Sequence, residues 1–228
     1  MLLRHNDCVE RGATLGLRER KKQETRQLIA DTARRLFAER SFEAVTVAEV
    51  ARAANVSEKT VFNYFPTKED LVYSRLEAFE EDLLAAIRDR EPGETVLSAF
   101  GKFLFQPRGV FAVGESDDGA ATEQIQTITR MITESPALLA RERLVFARYT
   151  ESLAALLAAE SGAGPDDVEP RVVAGAILAV HRALIDYVRR RTIAGASARV
   201  IARGVRAEGE RALKVLERGL GEYLPKGT

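Results

Sequence analysis

An all-α fold is predicted by three features of the chain: apolar residues recur at helical spacing along most of its length, no alternating segment is long enough for a strand, and Pro, Gly and Ser punctuate the helical runs. A three-helix head at the N-terminus followed by a larger C-terminal helical domain, about nine helices in all, is the expected arrangement. With 228 residues, 46% hydrophobic and 30% charged, the chain can bury a sizeable core, and its seven prolines without a low-complexity tract fit a folded protein.

Met1 to Gly16 shows no helical or strand period and contains Gly12 and Gly16, as a mobile tail does. From Lys21 the residues Leu28, Ile29, Ala33, Leu36 and Phe37 recur on one helical face, which predicts the first helix. In "SFEAVTVAEVARAANV" Thr46 and Glu49 form a capping box, so a short second helix runs from about Val47 to Ala54. Ser57 is a good N-cap for a third short helix, which Pro66 stops near Phe65. Two short helices joined by a tight turn, the second rich in polar residues, describe a helix-turn-helix whose second helix fits a DNA major groove.

Thr67 caps a longer fourth helix through Leu71, Val72, Leu76, Phe79, Leu83, Leu84 and Ile87, which Pro92 and Gly93 end. Further helices are expected near 95–105, 120–134, 136–159, 170–191 and 197–223. Between the first two of these lies "QPRGVFAVGESDDGA", Gln106 to Ala120, which is either a mobile, lid-like segment or an ordinary surface connection.

The formal net charge is zero but unevenly spread. Residues 1–75 carry 14 Lys/Arg against 11 Asp/Glu, residues 76–170 carry 8 against 18, and residues 171–228 carry 12 against 5. The acidic middle is a poor surface for phosphates, and the densest basic run is Arg18, Arg20, Lys21, Lys22 and Arg26. That run reads equally as a phosphate-contacting arm or as a solvated helix face. The single cysteine, Cys8, makes no internal disulfide, no secretory leader is evident, and no stretch approaches the roughly 20 apolar residues of a membrane helix, so a cytoplasmic protein without membrane contact is expected. Metal-ligand clusters, a glycine-rich phosphate loop and a nucleophile elbow are all missing from the sequence, so neither an enzyme nor a bound cofactor is expected.

The segments "LIADTARRLFAERSF" and "TVAEVARAANVSEKTVFNYFPTKEDL" resemble, without a gap over residues 21–71, the N-terminal pattern of the TetR family of bacterial transcriptional regulators. The pattern usually has glycine where this chain has Ser41 and Asn55, positions just past helix ends where a left-handed backbone is needed; asparagine tolerates it, serine less so. The resemblance implies a tail over 1–18, a helix-turn-helix DNA-binding domain over 19–66, and a helical effector-binding and dimerisation domain over 67–228.

It also implies that Ser57, Lys59, Thr60, Phe62, Asn63 and Tyr64 lie on the groove-entering helix, and that Thr46, Tyr64 and Lys68 grip phosphates. Lys59 suits guanine and Asn63 suits adenine, each good bidentate contact being worth about 1–3 kcal/mol of discrimination. Many relatives have tyrosine at the Phe62 position; phenylalanine lacks the hydroxyl that reaches phosphate, and packing on sugar or a thymine methyl is the alternative.

For the remainder, the resemblance implies a homodimer through the last two helices, a double-stranded DNA operator as partner, and a small-molecule effector that releases the repressor. Phe100, Phe103, Met131, Phe146, Tyr149 and His181 are candidates to line the effector site or to be plain core. His181 is the sole polar interruption of an apolar face. The alternative function is a helix-turn-helix repressor or architectural protein with no effector.

Overall fold

A computed structural model describes residues 16–74, 76–106 and 119–219, in which every regular element is a helix. Residues 1–15 of the tail expected over 1–18, most of the segment between Gln106 and Ala120, and the last helix beyond residue 219 lie outside the described residues, while Leu17 and Arg18 already belong to the first helix. By backbone contacts the chain divides into two compact units, Met1–Val72 and Tyr73–Thr228.

The first unit holds α1 (Leu17–Arg40), α2 (Val47–Ala53), α3 (Glu58–Tyr64) and α4 (Lys68–Val72). α1 packs against α2 and α4, and α2 against α3. Its buried apolar residues are Ile29, Ala33 and Phe37 of α1 together with Phe42, Val45, Val50, Ala51, Val61, Phe65 and Leu71. The caps read from the sequence are formed. Thr46 Oγ1 accepts from the Glu49 N–H at 3.2 Å while Glu49 Oε2 accepts from the Thr46 N–H at 2.8 Å; Ser57 Oγ accepts from the Thr60 N–H at 3.0 Å. A further capping box, Thr67 with Asp70, starts α4.

Both expected left-handed positions carry positive φ, Ser41 at 75° and Asn55 at 54°. At Ser41 ψ is 157°, a region glycine occupies almost alone. Ser41→Gly is therefore expected to stabilise the protein by about 1 kcal/mol, the relief of strain exceeding the extra entropy glycine has when unfolded. Thermal denaturation of the variant beside wild type checks the sign.

The second unit holds α5 (Leu76–Arg88), α6 (Val96–Leu104), α7 (Gly119–Glu134), α8 (Pro136–Ser161), α9 (Glu169–Ile193) and α10 (Ala198–Arg218). The single fourth helix expected from Thr67 onward is two helices, α4 and α5, with Tyr73 and Ser74 in a turn between them, so the described residues contain ten helices instead of about nine. No proline or glycine marks that break. What holds it is tertiary: α4 packs on α1, and the Tyr73 hydroxyl donates to the Leu138 carbonyl of α8 at 3.0 Å.

α8 and α9 form the most extensive helix pair, and α10 lies against α9, α6 and α7. Polar clamps fix the register of α8. Arg148 pairs with Glu80 of α5 at 2.8 Å, Arg90 pairs with Glu160 at 2.7 Å, and Arg189 of α9 forms a bidentate pair with Glu142. The small residues of α10 have a purpose in two places: a Cβ on Gly209 would meet the Phe105 ring at 2.9 Å, and one on Gly204 would collide with Tyr187.

Candidate nucleic-acid interface

Residues three and four apart on a helix share a face, so Lys59, Phe62 and Asn63 of α3 project together. All three are exposed, Phe62 at 46%, whereas Val61 and Phe65 are buried and anchor the helix from behind. A phenyl ring this open between an ammonium and an amide is available to a partner surface. The flanking hydroxyls are already engaged: Ser57 Oγ and Thr60 Oγ1 lie 2.8 Å apart, and Thr46 Oγ1 donates to Glu49 Oε2 at 2.9 Å.

Glu49 is held at about 2, below its ordinary 4.5, first by the Thr46 backbone N–H and then by the Arg40 guanidinium. It remains an anion through the neutral range, keeping the α2 cap closed.

Tyr64 is half-buried and lines an open cleft with Gly16, Arg18, Lys21, Lys22 and Thr25 of the α1 start. The basic run thus splits by partner. Arg20 and Lys22 sit 3.9 Å from Glu24 and Glu19 respectively, and the Arg26 guanidinium lies over the Phe65 ring at 4.9 Å. Lys68 is half-buried, its Nζ 4.3 Å from the centre of the Phe42 ring, a contact the sequence did not signal.

In the second unit Phe100, Phe103, Phe146 and Tyr149 belong to one buried cluster, and buried His181 lies against it with its ring 5.5 Å from that of Phe146, whereas Met131, half-buried on α7, is not a member. The sequence reading missed Phe79 of α5 as a site residue, although its apolar spacing was visible: its ring stacks on His181 at 4.6 Å and 12° and meets Phe103 and Tyr149 at 5.2 and 5.4 Å. Burial holds the His181 imidazole at about 4, below its ordinary 6.5, so it is neutral at physiological pH.

Between those two values the unfolded chain takes up a proton that the folded chain refuses, and stability falls as pH drops from 6.5 toward about 4. His181→Leu is expected to flatten that part of the melting-temperature profile, which thermal melts at pH 7 and pH 4.5 compare directly.

Residues 29–73 match the family model "Bacterial regulatory proteins, tetR family", and residues 110–220 match the model of the MftR C-terminal domain. The HTH-type transcriptional regulator TcmR of Streptomyces glaucescens is 32% identical over 170 residues, covering 73% of this chain and 74% of that protein. Among solved structures, NalD of Pseudomonas aeruginosa, the secondary repressor of the MexAB-OprM multidrug efflux pump, superposes with a TM-score of 0.51 at 20% identity over 87% of this chain and 96% of its own. A SmeT–triclosan complex gives 0.50 at 15% identity over 90% and 97%. At these identities the two structures show a shared fold. No helix among the described residues is long and apolar enough to cross a membrane. The helix-turn-helix of α2 and α3, the family model over it and the relative that spans most of the chain agree: this protein is a DNA-binding transcriptional regulator that belongs to the TetR family.

Proposed function

We propose that the protein is a cytoplasmic, dimeric repressor that reads a palindromic operator through α3 and is released from it by a small-molecule effector. The observation that carries the reading is the common exposure of Lys59, Phe62 and Asn63 on one face of a helix anchored by buried Val61 and Phe65. Lys59 reads guanine, Asn63 reads adenine, and Phe62 packs on sugar or a thymine methyl. Tyr64 and Lys68 hold phosphates and set the register. Ser57 and Thr60 act through the cap that fixes the start of α3, and Thr46 exchanges its hydroxyl bond to Glu49 for a phosphate oxygen.

A single recognition helix covers one half-site, and half-sites one turn apart, about 34 Å, call for two copies. The surface that supports pairing is on α8 and α9, where Leu144, Val172 and Val173 are exposed; Ile201 and Val205 of α10 face inward, so α9 supplies more of the apolar contact than α10.

The effector reading rests on the aromatic cluster around His181, and SmeT, which shares the fold, is seen with triclosan. A ligand there displaces apolar packing and shifts the balance between operator-bound and released forms in proportion to its differential affinity. A repressor without effector is the second reading, favoured by the near-complete burial of Phe100 and Tyr149. A thermal-shift screen of small aromatic and amphipathic molecules separates the two, since a molecule that binds only the folded state raises the melting temperature.

The DNA reading is tested by comparing two variants on matched and scrambled duplexes. Asn63→Ala is expected to relax base preference, at about 1–3 kcal/mol per contact, and Lys68→Ala to weaken all duplexes alike. Equal loss of preference in both variants sinks the assignment.

A further inference from the structure

We propose that Phe42 is a positioning residue for DNA binding: its ring, set by the strained turn at Ser41, holds the Lys68 ammonium in place for a phosphate. The inference rests on the reading of the first unit as the DNA-binding head.

The geometry is confined to that unit. Lys68 Nζ lies 4.3 Å from the centre of the Phe42 ring and 6.0 Å from that of Phe37. The two rings meet edge to face, 5.2 Å apart at 64°, and both are buried, so neither can turn away. The segment that carries Phe42 is pinned on each side. Ser41 adopts φ 75° and donates its N–H to the Phe37 carbonyl at 3.0 Å, while Arg40 bonds Glu49 at 2.7 Å and the Ala44 carbonyl at 3.4 Å.

A ring face is electron-rich and attracts a cation. Lysine carries its charge on a flexible stem of four carbons, and ordering that stem on binding costs entropy. A ring that orders it beforehand removes that cost, and without the ring the stem stays spread over positions away from the phosphate, so the ion pair is not kept. The ammonium has three donors, and a ring on one side leaves the others for phosphate oxygens. Backbone strain kept at Ser41 is accounted for in the same way: it aims the next residue, Phe42, at the place where Lys68 ends.

The test uses the full-length protein and the tightest duplex it selects from a randomised pool, and measures the slope of log affinity against log salt. Lys68→Ala is expected to reduce the slope by about 0.9 for each phosphate that is no longer neutralised. Phe42→Met, which fills the space without a ring face, is expected to reduce it equally, Phe42→Tyr to leave it unchanged, and Phe42→Met with Lys68→Ala to match Lys68→Ala alone. Partial unfolding lowers the active fraction but leaves the slope, so a merely structural role does not mimic this pattern.

A full slope in Phe42→Met overturns the proposal, as does a full slope in Lys68→Ala; in the latter case a selected duplex still preferred by wild type leaves the DNA reading standing. Should Phe42→Met fail to fold, the Lys68 ε-methylene protons of the wild-type complex decide: an upfield ring-current shift retained on DNA supports the proposal, and its loss on DNA overturns it. Failure of wild type to select any duplex overturns the DNA reading together with this one.

Discussion

Replacing Lys59 and Asn63 together by alanine is expected to remove about 2–6 kcal/mol of operator preference per recognition helix, the sum of two bidentate base contacts of about 1–3 kcal/mol each. Both side chains are exposed and carry no hydrogen bond or ion pair among the described residues, so the melting temperature is expected to stay within about 1 °C of wild type. Affinity for a scrambled duplex is expected to fall less than affinity for the operator, because the phosphate contacts that supply most of it stay in place and Lys59 adds one charge per head to them. Competition binding with operator and scrambled duplexes measures the ratio. A ratio that survives the double substitution places base reading elsewhere on the head.

The largest effect on stability is expected from Phe100→Ala. Phe100 is fully buried, and its neighbours in the cluster include Phe103, Leu104, Tyr149 and Ile177 from three helices. Truncation to alanine removes the transfer energy of the ring and leaves a cavity that rigid aromatic neighbours cannot close, for about 3–5 kcal/mol. For a unit of this size that is a fall in melting temperature of roughly 6–20 °C. The cavity also supplies a second readout. A small aromatic molecule that fills the cavity is expected to restore part of the lost stability; calorimetry with and without indole or benzene measures both.

The parts of the fold that were legible from sequence are those where local chemistry decides. Thr46 with Glu49, Ser57 with Thr60 and the stop at Pro66 place α2 and α3 because caps and proline act within one helical turn. Serine and asparagine where the family favours glycine pointed to positive φ at positions 41 and 55, and both carry it. The break between α4 and α5 was invisible: Leu71, Val72, Leu76 and Phe79 run through it at helical spacing, and what accompanies the break is the packing of α4 on α1 and the hydrogen bond of Tyr73 to the Leu138 carbonyl.

Facing was harder than existence. Val172, Val173, Val180 and Leu184 form one stripe in the sequence, yet the first two are exposed and the last two buried, because which side of a broad stripe is covered depends on neighbours distant in the chain. For the same reason five of the six effector candidates converge while Met131 stays apart, and Phe79 joins them from α5. The roles of the hydroxyls of Thr46 and Thr60 were half legible. The caps could be read, but not that they leave the exposed face of α3 to Lys59, Phe62 and Asn63.

Fluorescence anisotropy of the full-length protein on a duplex from upstream of its own gene, against a scrambled duplex at several salt concentrations, decides whether the protein reads an operator sequence. A preference of about 1,000-fold or more, with affinity falling steeply as salt rises, is the predicted result for a dimeric regulator that reads bases through α3. Equal, weak binding to that duplex, to the scrambled one and to every duplex drawn from a randomised pool would contradict it.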